Sequence, residues 1–349
     1  MSKLRAAVIG VNGMGGQHHA PGFQSHPDAE VVALCDVDEK YLEKLGKDLG
    51  VAALYTDVGK MFANEQLDLV SIATPNKFHM ELTLAALEAG CHVLCEKPPA
   101  MNAGEARRTV TLAEERGLRL MINFSFRFWE QSWALKRQVD AGILGDIYFA
   151  RTLWLRRRGA PAGDRWFTKK SLSGGGPLVD LGVHRLDLAL WFMGFPKPVW
   201  VLGNTYNPII SASARKHQFE CDVEDLAVAM VRFENGAMLE LEASWATNIA
   251  QRELMETRLL GTKAGLVQRN IGEGYEFEAE IYLEKDGAQY DMKLHSPVHG
   301  APASAYYYFI DCIVKDVPHT ATGAEGLAVM EILDAVYLSA ETGEPVKMS

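Results

Sequence analysis

The chain has 349 residues, of which 48% are hydrophobic and 23% charged, and its formal net charge is -10. That apolar supply excludes a disordered polypeptide, and the acidic balance opposes non-specific attraction to nucleic-acid phosphates or anionic lipid. The length exceeds one ordinary hydrophobic core and predicts two domains.

Five scattered cysteines, Cys35, Cys91, Cys95, Cys221 and Cys312, form no C-x-x-C pair. They argue against a disulfide framework or zinc ribbon and fit a reducing cytoplasm. The apolar run after Arg5 meets Gly10, too short for a secretion signal or a membrane span. A cytoplasmic protein without nucleic-acid or membrane partners is expected.

In chain order, RAAVI (5 to 9) reads as a buried strand running into a Gly-rich turn. EVVALCD (30 to 36) is a second strand, followed by an amphipathic helix through Tyr41, Leu42, Leu45 and Leu49. LDLVSIATP (67 to 75) precedes a helix that stops at Gly90, HVLCEKP (92 to 98) precedes the helix EARRTVTLAEERG, and LRLMINFSF is a further strand. This alternation predicts an α/β doubly wound parallel sheet over residues 1–124.

Beyond it the segments lengthen and take a period of two: DIYFARTLWL, PVWVLGNTYN, LAVAMVRFENGAMLELEASWAT and EGYEFEAEIYLEKDGAQYDMKL. Glu234-Asn235-Gly236 and Lys285-Asp286-Gly287 read as hairpin turns, so residues 125–349 form an α+β domain with a large, mainly antiparallel sheet. Helices are sparse in this half until two segments, 304–315 and 324–341, close the chain. One sheet face is therefore left to pack against another subunit, giving a homo-oligomer.

Three motifs carry chemistry. In VIGVNGMGG (8 to 16), Gly10, Asn12 and Gly15 take the positions of G-x-G-x-x-G between a strand and a helix, with Met14 inside the turn. Such a turn brings backbone N–H groups against a pyrophosphate, and Asp36 closing the second strand supplies the acid for the ribose hydroxyls. A carboxylate there repels a 2′-phosphate and neither Val37 nor Asp38 neutralises one, so NAD is preferred over NADP. The bland alternative is a tightly packed turn with Asp36 capping a loop. Asn12, where Gly usually stands, carries a side chain but tolerates positive φ.

Glu96-Lys97-Pro98 follows a buried strand, which puts Lys97 at the carboxyl edge of the sheet, where ligands bind; a strand-end lysine paired with Glu96 in solvent is the competing reading. Gly174-Gly175-Gly176-Pro177 reads as a flexible turn with Pro starting a helix. Asp180 and His184 then share one helical face, with Asp187 a further turn along. A carboxylate that fixes an imidazole tautomer makes a general base. A metal site and a salt-linked helix face are the alternatives, and no further metal ligands are evident nearby.

The stretches ATPNKFH (73 to 79), AGCHVLCEKP (89 to 98), SGGGPLVDLGVHRLDLALW (173 to 191), FENGAMLELEASW (233 to 245) and SAETGEPV (339 to 346) make the chain resemble the Gfo/Idh/MocA family of nicotinamide-dependent sugar and cyclitol oxidoreductases over nearly its whole length. The resemblance implies an N-terminal Rossmann domain and a C-terminal domain whose open sheet mediates dimers or tetramers. It implies Lys97, Asp180 and His184 as catalytic residues that also contact substrate, Thr74, Pro75, Asn76 and His79 lining the cofactor site with Glu96 and Lys97, and no metal. Within WLRRRGAPAGDRWF (154 to 167), Arg156, Arg165 and Trp166 suit a polyhydroxylated or anionic sugar, while a solvated basic loop is the plainer alternative. Arg127 is a candidate for a structural role. The expected activity is NAD-dependent hydride transfer at a secondary hydroxyl or ketone of a sugar, glycoside or inositol. Glycoside cleavage through transient oxidation, and a non-catalytic sugar sensor, are the other two readings.

Overall fold

The computed structural model describes residues 3–348 except 162 and 164, which fall in the Arg-rich stretch. The chain folds as two compact units, one running to Ser125 and joined by Pro302–Leu327, the other comprising Phe126–Ala301 and the chain from Ala328 onward. Residues 302–327 thus belong to the first unit, where a single boundary near residue 124 would have left them in the second. The physical reason is local: Ile122 donates its N–H to the Ala321 carbonyl, and the Tyr306 ring fills the space above Gly22.

In the first unit, strands β1 (Leu4–Ile9), β2 (Ala29–Cys35), β3 (Ala53–Tyr55), β4 (Leu69–Ile72), β5 (His92–Cys95) and β6 (Leu120–Ile122) form one parallel sheet in the order β3-β2-β1-β4-β5-β6. Continuous apolar runs such as Ala6-Ala7-Val8-Ile9 are buried because helices cover both faces. The strand order reverses beside β1, so the carboxyl ends of β1 and β4 form the crevice where ligands of such sheets bind. Neither β3 nor the helix Val58–Asn64 was expected, each being too short to show a period. LRLMINFSF is strand only over Leu120–Ile122, since the chain turns into a 3₁₀ segment at Ser125–Phe128.

The second unit carries β7 (Ile147–Arg156), β8 (Pro198–Tyr206), β9 (Leu226–Phe233), β10 (Met238–Ser244), β11 (Glu253–Gly261), β12 (Ala264–Asn270), β13 (Phe277–Lys285), β14 (Ala288–Lys293) and β15 (Val346–Lys347). They form one sheet in the order β14-β13-β12-β11-β7-β10-β9-β8-β15, antiparallel except for the parallel β10–β7 pair. Both foreseen hairpins are present, with Asp286 and Gly287 at positive φ (54° and 76°), as a tight two-residue turn requires. Helices are more numerous here than expected: Glu130–Asp140, Val183–Met193 and Pro208–His217 all lie in this unit.

One sheet face packs against the helix Val183–Met193, whose His184 through Phe192 are all buried. The other carries ion-pair ladders, Arg151 with Glu242 and Arg269 with Glu278, interspersed with exposed Leu202, Met230 and Tyr282. The buried helix is fixed by charge as well as packing. Arg127, fully enclosed, donates from Nε (2.8 Å) and Nη2 (2.5 Å) to the two carboxylate oxygens of Asp187, with its guanidinium also against the Trp191 and Phe195 rings. Asp187 is thus the acceptor of a bidentate structural pair. Replacing Arg127 with Leu leaves that carboxylate buried and uncompensated. The expected loss is about 3–5 kcal/mol, read from the midpoint of urea unfolding.

Candidate active site

At the first crevice, Gly10 turns the chain at φ 83°, and a Cβ there would stand 2.7 Å from the backbone of Ala73 and Thr74. A side chain at Gly15 would meet the Gly10 carbonyl at 2.2 Å. Both positions therefore have to be bare for the turn to close, and the closed turn leaves main-chain room for a phosphate group. Asn12 sits at φ -80°, so it needs none of the left-handed tolerance credited to it; Gly13 takes the positive φ of 140° instead. The substitution of Asn for Gly thus strains nothing. Met14 is exposed in the same turn.

Asp36 lies at the end of β2. One carboxylate oxygen accepts the Asn12 N–H (2.8 Å), and the other accepts the N–H of Asp38 (3.0 Å). The Asn12 side-chain amide reaches the Asp38 carboxylate. These contacts tie the Gly-rich turn to the acid and fit the adenosine end of a dinucleotide.

Thr74, Pro75 and Asn76 follow β4 at the same sheet edge, with Asn76 buried. His79 differs from the expectation of a cofactor-lining side chain. It is wholly enclosed, with Nε2 2.8 Å from the Thr74 carbonyl and Nδ1 2.6 Å from the Pro98 carbonyl, so it staples two loops together. Burial holds its pKa below the usual histidine range, the two carbonyls acting against it.

Glu96 also points inward. Its carboxylate contacts His19 Nε2 (2.8 Å), accepts from Asn123 (2.6 Å), and takes the N–H of Lys97 (3.2 Å). The other His19 nitrogen lies 2.5 Å from the Ser71 hydroxyl. Burial alone would raise the Glu96 carboxyl, but His19 above all, then Asn123 and Lys97, hold it below its usual value. The alternative of a solvent pair between Glu96 and Lys97 is replaced by a buried network that grips the Lys97 backbone. Lys97 itself is half-buried at the sheet edge.

In the second unit, the Gly174–Leu178 turn is packed tightly, contrary to its reading as a flexible segment. A Cβ on Gly175 would lie 1.9 Å from the Tyr337 hydroxyl, and one on Gly176 would lie 2.2 Å from the Glu224 carbonyl oxygen. The Glu224 carboxylate accepts the N–H groups of Gly176 (2.9 Å) and Leu178 (3.1 Å) and the Tyr337 hydroxyl (3.0 Å). Burial, then Glu224, keeps the Tyr337 phenol well above its ordinary pKa. Leu178–Gly182 is a wide π turn before the α-helix begins, so Asp180 and His184 are not a simple one-turn α-helical pair.

Asp180 Oδ2 accepts from Trp245 Nε1 (3.0 Å), a side chain buried at the end of β10. The His184 ring lies edge-on to Phe126 at 5.2 Å and tilted to Trp154 at 6.0 Å. On β7, Arg156 donates from Nε to Glu253 (2.8 Å) and from Nη2 to the Tyr275 hydroxyl (2.8 Å), and Trp154 Nε1 donates to the same Glu253 oxygen (2.6 Å). The β7–β11 register places Glu253 directly opposite Arg156. Burial, offset by Glu253 and by the nearby Tyr275 and Asp180, leaves the Arg156 pKa raised. Arg156 therefore joins Asp180 electrostatically. Arg165 stands exposed, and Trp166 stacks on Phe167 at 3.7 Å.

Glu253, Tyr275, Trp245 and Glu224 were not singled out from the sequence. Neither was Arg185, whose guanidinium is fully buried against Phe126, Phe277 and Trp154 and is pulled down to about 9 by burial. Among the described residues no group of three or more His, Cys, Asp or Glu is gathered for a metal, and no helix is long and apolar enough to cross a membrane.

A parallel sheet with a bare Gly turn at its switch point and an acid on the neighbouring strand defines the class of dinucleotide-binding α/β proteins. Family models agree over both units: an oxidoreductase family with an NAD-binding Rossmann fold matches residues 4–124, and the C-terminal alpha/beta domain of that family matches 136–348. The chain belongs to the Gfo/Idh/MocA oxidoreductase family. It is 35% identical to D-glucoside 3-dehydrogenase of Escherichia coli (strain K12), over 99% of this chain and 98% of that one. D-apiose dehydrogenase of Paraburkholderia graminis is 25% identical, over 100% of this chain and 90% of its own. Among solved structures, levoglucosan dehydrogenase in complex with NADH and levoglucosan has the same fold, with a TM-score of 0.85, 22% identity and 99% of each chain covered.

The Glu96 network makes a pH prediction. Its folded-state pKa lies below the unfolded value, so its stabilisation is complete above the usual 4.5 and is lost as pH falls through the depressed value. Glu96→Gln should flatten the loss of stability between about pH 5 and about pH 3, measured by urea midpoints across that window.

Proposed function

We propose that this protein oxidises a secondary hydroxyl of a sugar or glycoside, or reduces the matching ketone, with NAD preferred over NADP. The observation that carries the reading is the juxtaposition of Asp180 with Trp245, Arg156 and Tyr275 beside the helix that bears His184, in a chain 35% identical to a D-glucoside 3-dehydrogenase along its length. Gly10 and Gly15, Asn12, Met14, Asp36, and Thr74, Pro75 and Asn76 would hold the cofactor, which supplies the hydride acceptor at nicotinamide C4.

His184 then takes the hydroxyl proton, and Asp180 steadies the imidazole electrostatically while being anchored by Trp245. The Lys97 ammonium stabilises charge developing on the substrate oxygen, and its main chain is held in place by Glu96. Arg156 and Tyr275 contribute donors to the ring hydroxyls, with Trp154 as an apolar wall. Arg165 and Trp166 are assigned to the rim of this site. A carboxylate at Asp36 accepts from a ribose diol and disfavours a 2′-phosphate.

The first test is absorbance at the NADH band with purified protein, NAD or NADP, and a panel of glycosides, free sugars, sugar acids and inositols. A rise with NAD and one sugar class supports the reading; aryl release without net NADH would replace it with redox-assisted glycoside cleavage, and ligand binding without turnover with a sensor. His184→Ala and Lys97→Ala should each lower kcat by about a hundredfold or more with NAD affinity retained, as read by steady-state kinetics and cofactor titration. Near-normal turnover in either variant breaks the assignment. The open sheet face, with Leu202, Met230 and Tyr282 between its ion pairs, is assigned to a homodimer or homotetramer contact; sedimentation at micromolar concentration should give a mass above one chain.

A further inference from the structure

The second unit holds a cleft of 480 Å³ that is separate from the Asp180–Trp245 contact and lined by Phe128, Trp129, Gln131, Ile271, Tyr275 and Phe277, with Glu130 and Glu276 at the rim. Ile271 is 50% and Tyr275 48% exposed on the turn between β12 and β13, facing Trp129 on the segment that opens the helix Glu130–Asp140. Trp129 is held rigidly, stacked on Phe126 at 5.4 Å with 7° between the rings and edge-on to Phe277 at 4.9 Å. The turn is held too: Asn270 donates to the carbonyls of Gly272 and Gly274, and Ile271 and Glu276 are joined through their main chains.

Two connections run from this cleft toward Asp180 and His184. Tyr275 lines the cleft with its ring while its hydroxyl accepts from Arg156, and Asp180 is close enough to act on the charge of both. Phe126 touches Trp129 on one side and His184 on another. A ligand that reaches both sides of Tyr275 is longer than one ring.

The lining also states the chemistry of the occupant. Aromatic and aliphatic walls suit the C–H face of a pyranose. The two carboxylates in the lining disfavour an anion; Glu130 is already taken by the Ser296 hydroxyl and the Val298 N–H, whereas Glu276, which makes no side-chain hydrogen bond among the described residues, is an acceptor for hydroxyl groups. A wholly apolar ligand would leave that acceptor unused.

We infer that this cleft is a second subsite that takes the aglycone ring of a glycoside, a second pyranose, while the ring being oxidised lies on the His184 side of Tyr275. The inference rests on the sugar-oxidation reading above and narrows its substrate class from sugars and glycosides in general to glycosides of at least two rings.

The experiment compares kcat/KM of the NAD-loaded enzyme for methyl α- and β-D-glucopyranoside with that for maltose and cellobiose. One disaccharide should exceed the methyl glucoside of the same anomer by about tenfold, mostly through KM. Trp129→Ala should abolish this advantage while leaving methyl glucoside kinetics within about twofold. Ile271→Asp, a change at a half-exposed position, should do the same without disturbing the core. Equal efficiency of the wild type on one- and two-ring substrates, or equal losses on both in Ile271→Asp, would overturn the subsite alone. Oxidation of free sugars but of none of these four would also overturn the subsite, whereas failure across the whole panel above would overturn the sugar reading on which it rests.

Discussion

The buried pair of Arg127 and Asp187 is the constraint on which the second unit is built. A guanidinium and a carboxylate taken entirely out of water are tolerable only as a bidentate pair, and both positions are shut off from solvent. Arg127 belongs to the first turn of the unit and Asp187 to the helix that carries His184. The orientation of that helix is therefore set by a directional contact, where apolar packing alone would allow it to roll. Three residues before Asp187, His184 inherits its place against Phe126 and Trp154 from the same contact.

The start of the helix is governed by another carboxylate. Glu224 gathers two main-chain N–H groups and a phenol at a point where three successive glycines leave no side chains to compete. Glu96 plays a corresponding part in the first unit, gathering His19, Asn123 and the Lys97 main chain. In both, a buried acid organises the backbone next to a residue assigned to the chemistry, and neither acid need touch a ligand to matter. Such a division separates the side chains assigned to the chemistry from the groups that hold their backbone in place.

The sheet of the first unit was legible because most of its strands are short unbroken apolar runs closed by a turn, a pattern with few competing explanations. Asp36 was legible for the same reason: it terminates such a run. β11 and β12 were not seen, since Glu253–Gly261 is only loosely alternating and the turn at Thr262-Lys263 carries none of the Asn-Gly or Asp-Gly chemistry that marked the other hairpins. With them went Glu253, whose partnership with Arg156 depends on register across residues nearly a hundred positions apart. His79 and Glu96 were singled out, but a motif fixes the position of a side chain along the chain and says nothing of which way it faces, and both turn inward. The Gly triplet was misread as slack for a similar reason: sequence shows that the side chains are missing, while only the neighbours Tyr337 and Glu224 show why.

The contacts of Asp36 bear on how readily this protein could change its nucleotide. Both donors that aim its carboxylate, the N–H groups of Asn12 and Asp38, belong to the main chain. Short of proline at position 12 or 38, no replacement of a neighbouring side chain removes them, and the rotamer they select is already chosen before any ligand arrives, so that part of the ordering entropy is settled in advance. Any exchange between a free ribose diol and a phosphorylated one would consequently have to involve position 36 itself, whose replacement would release two main-chain donors that a phosphate could then recruit.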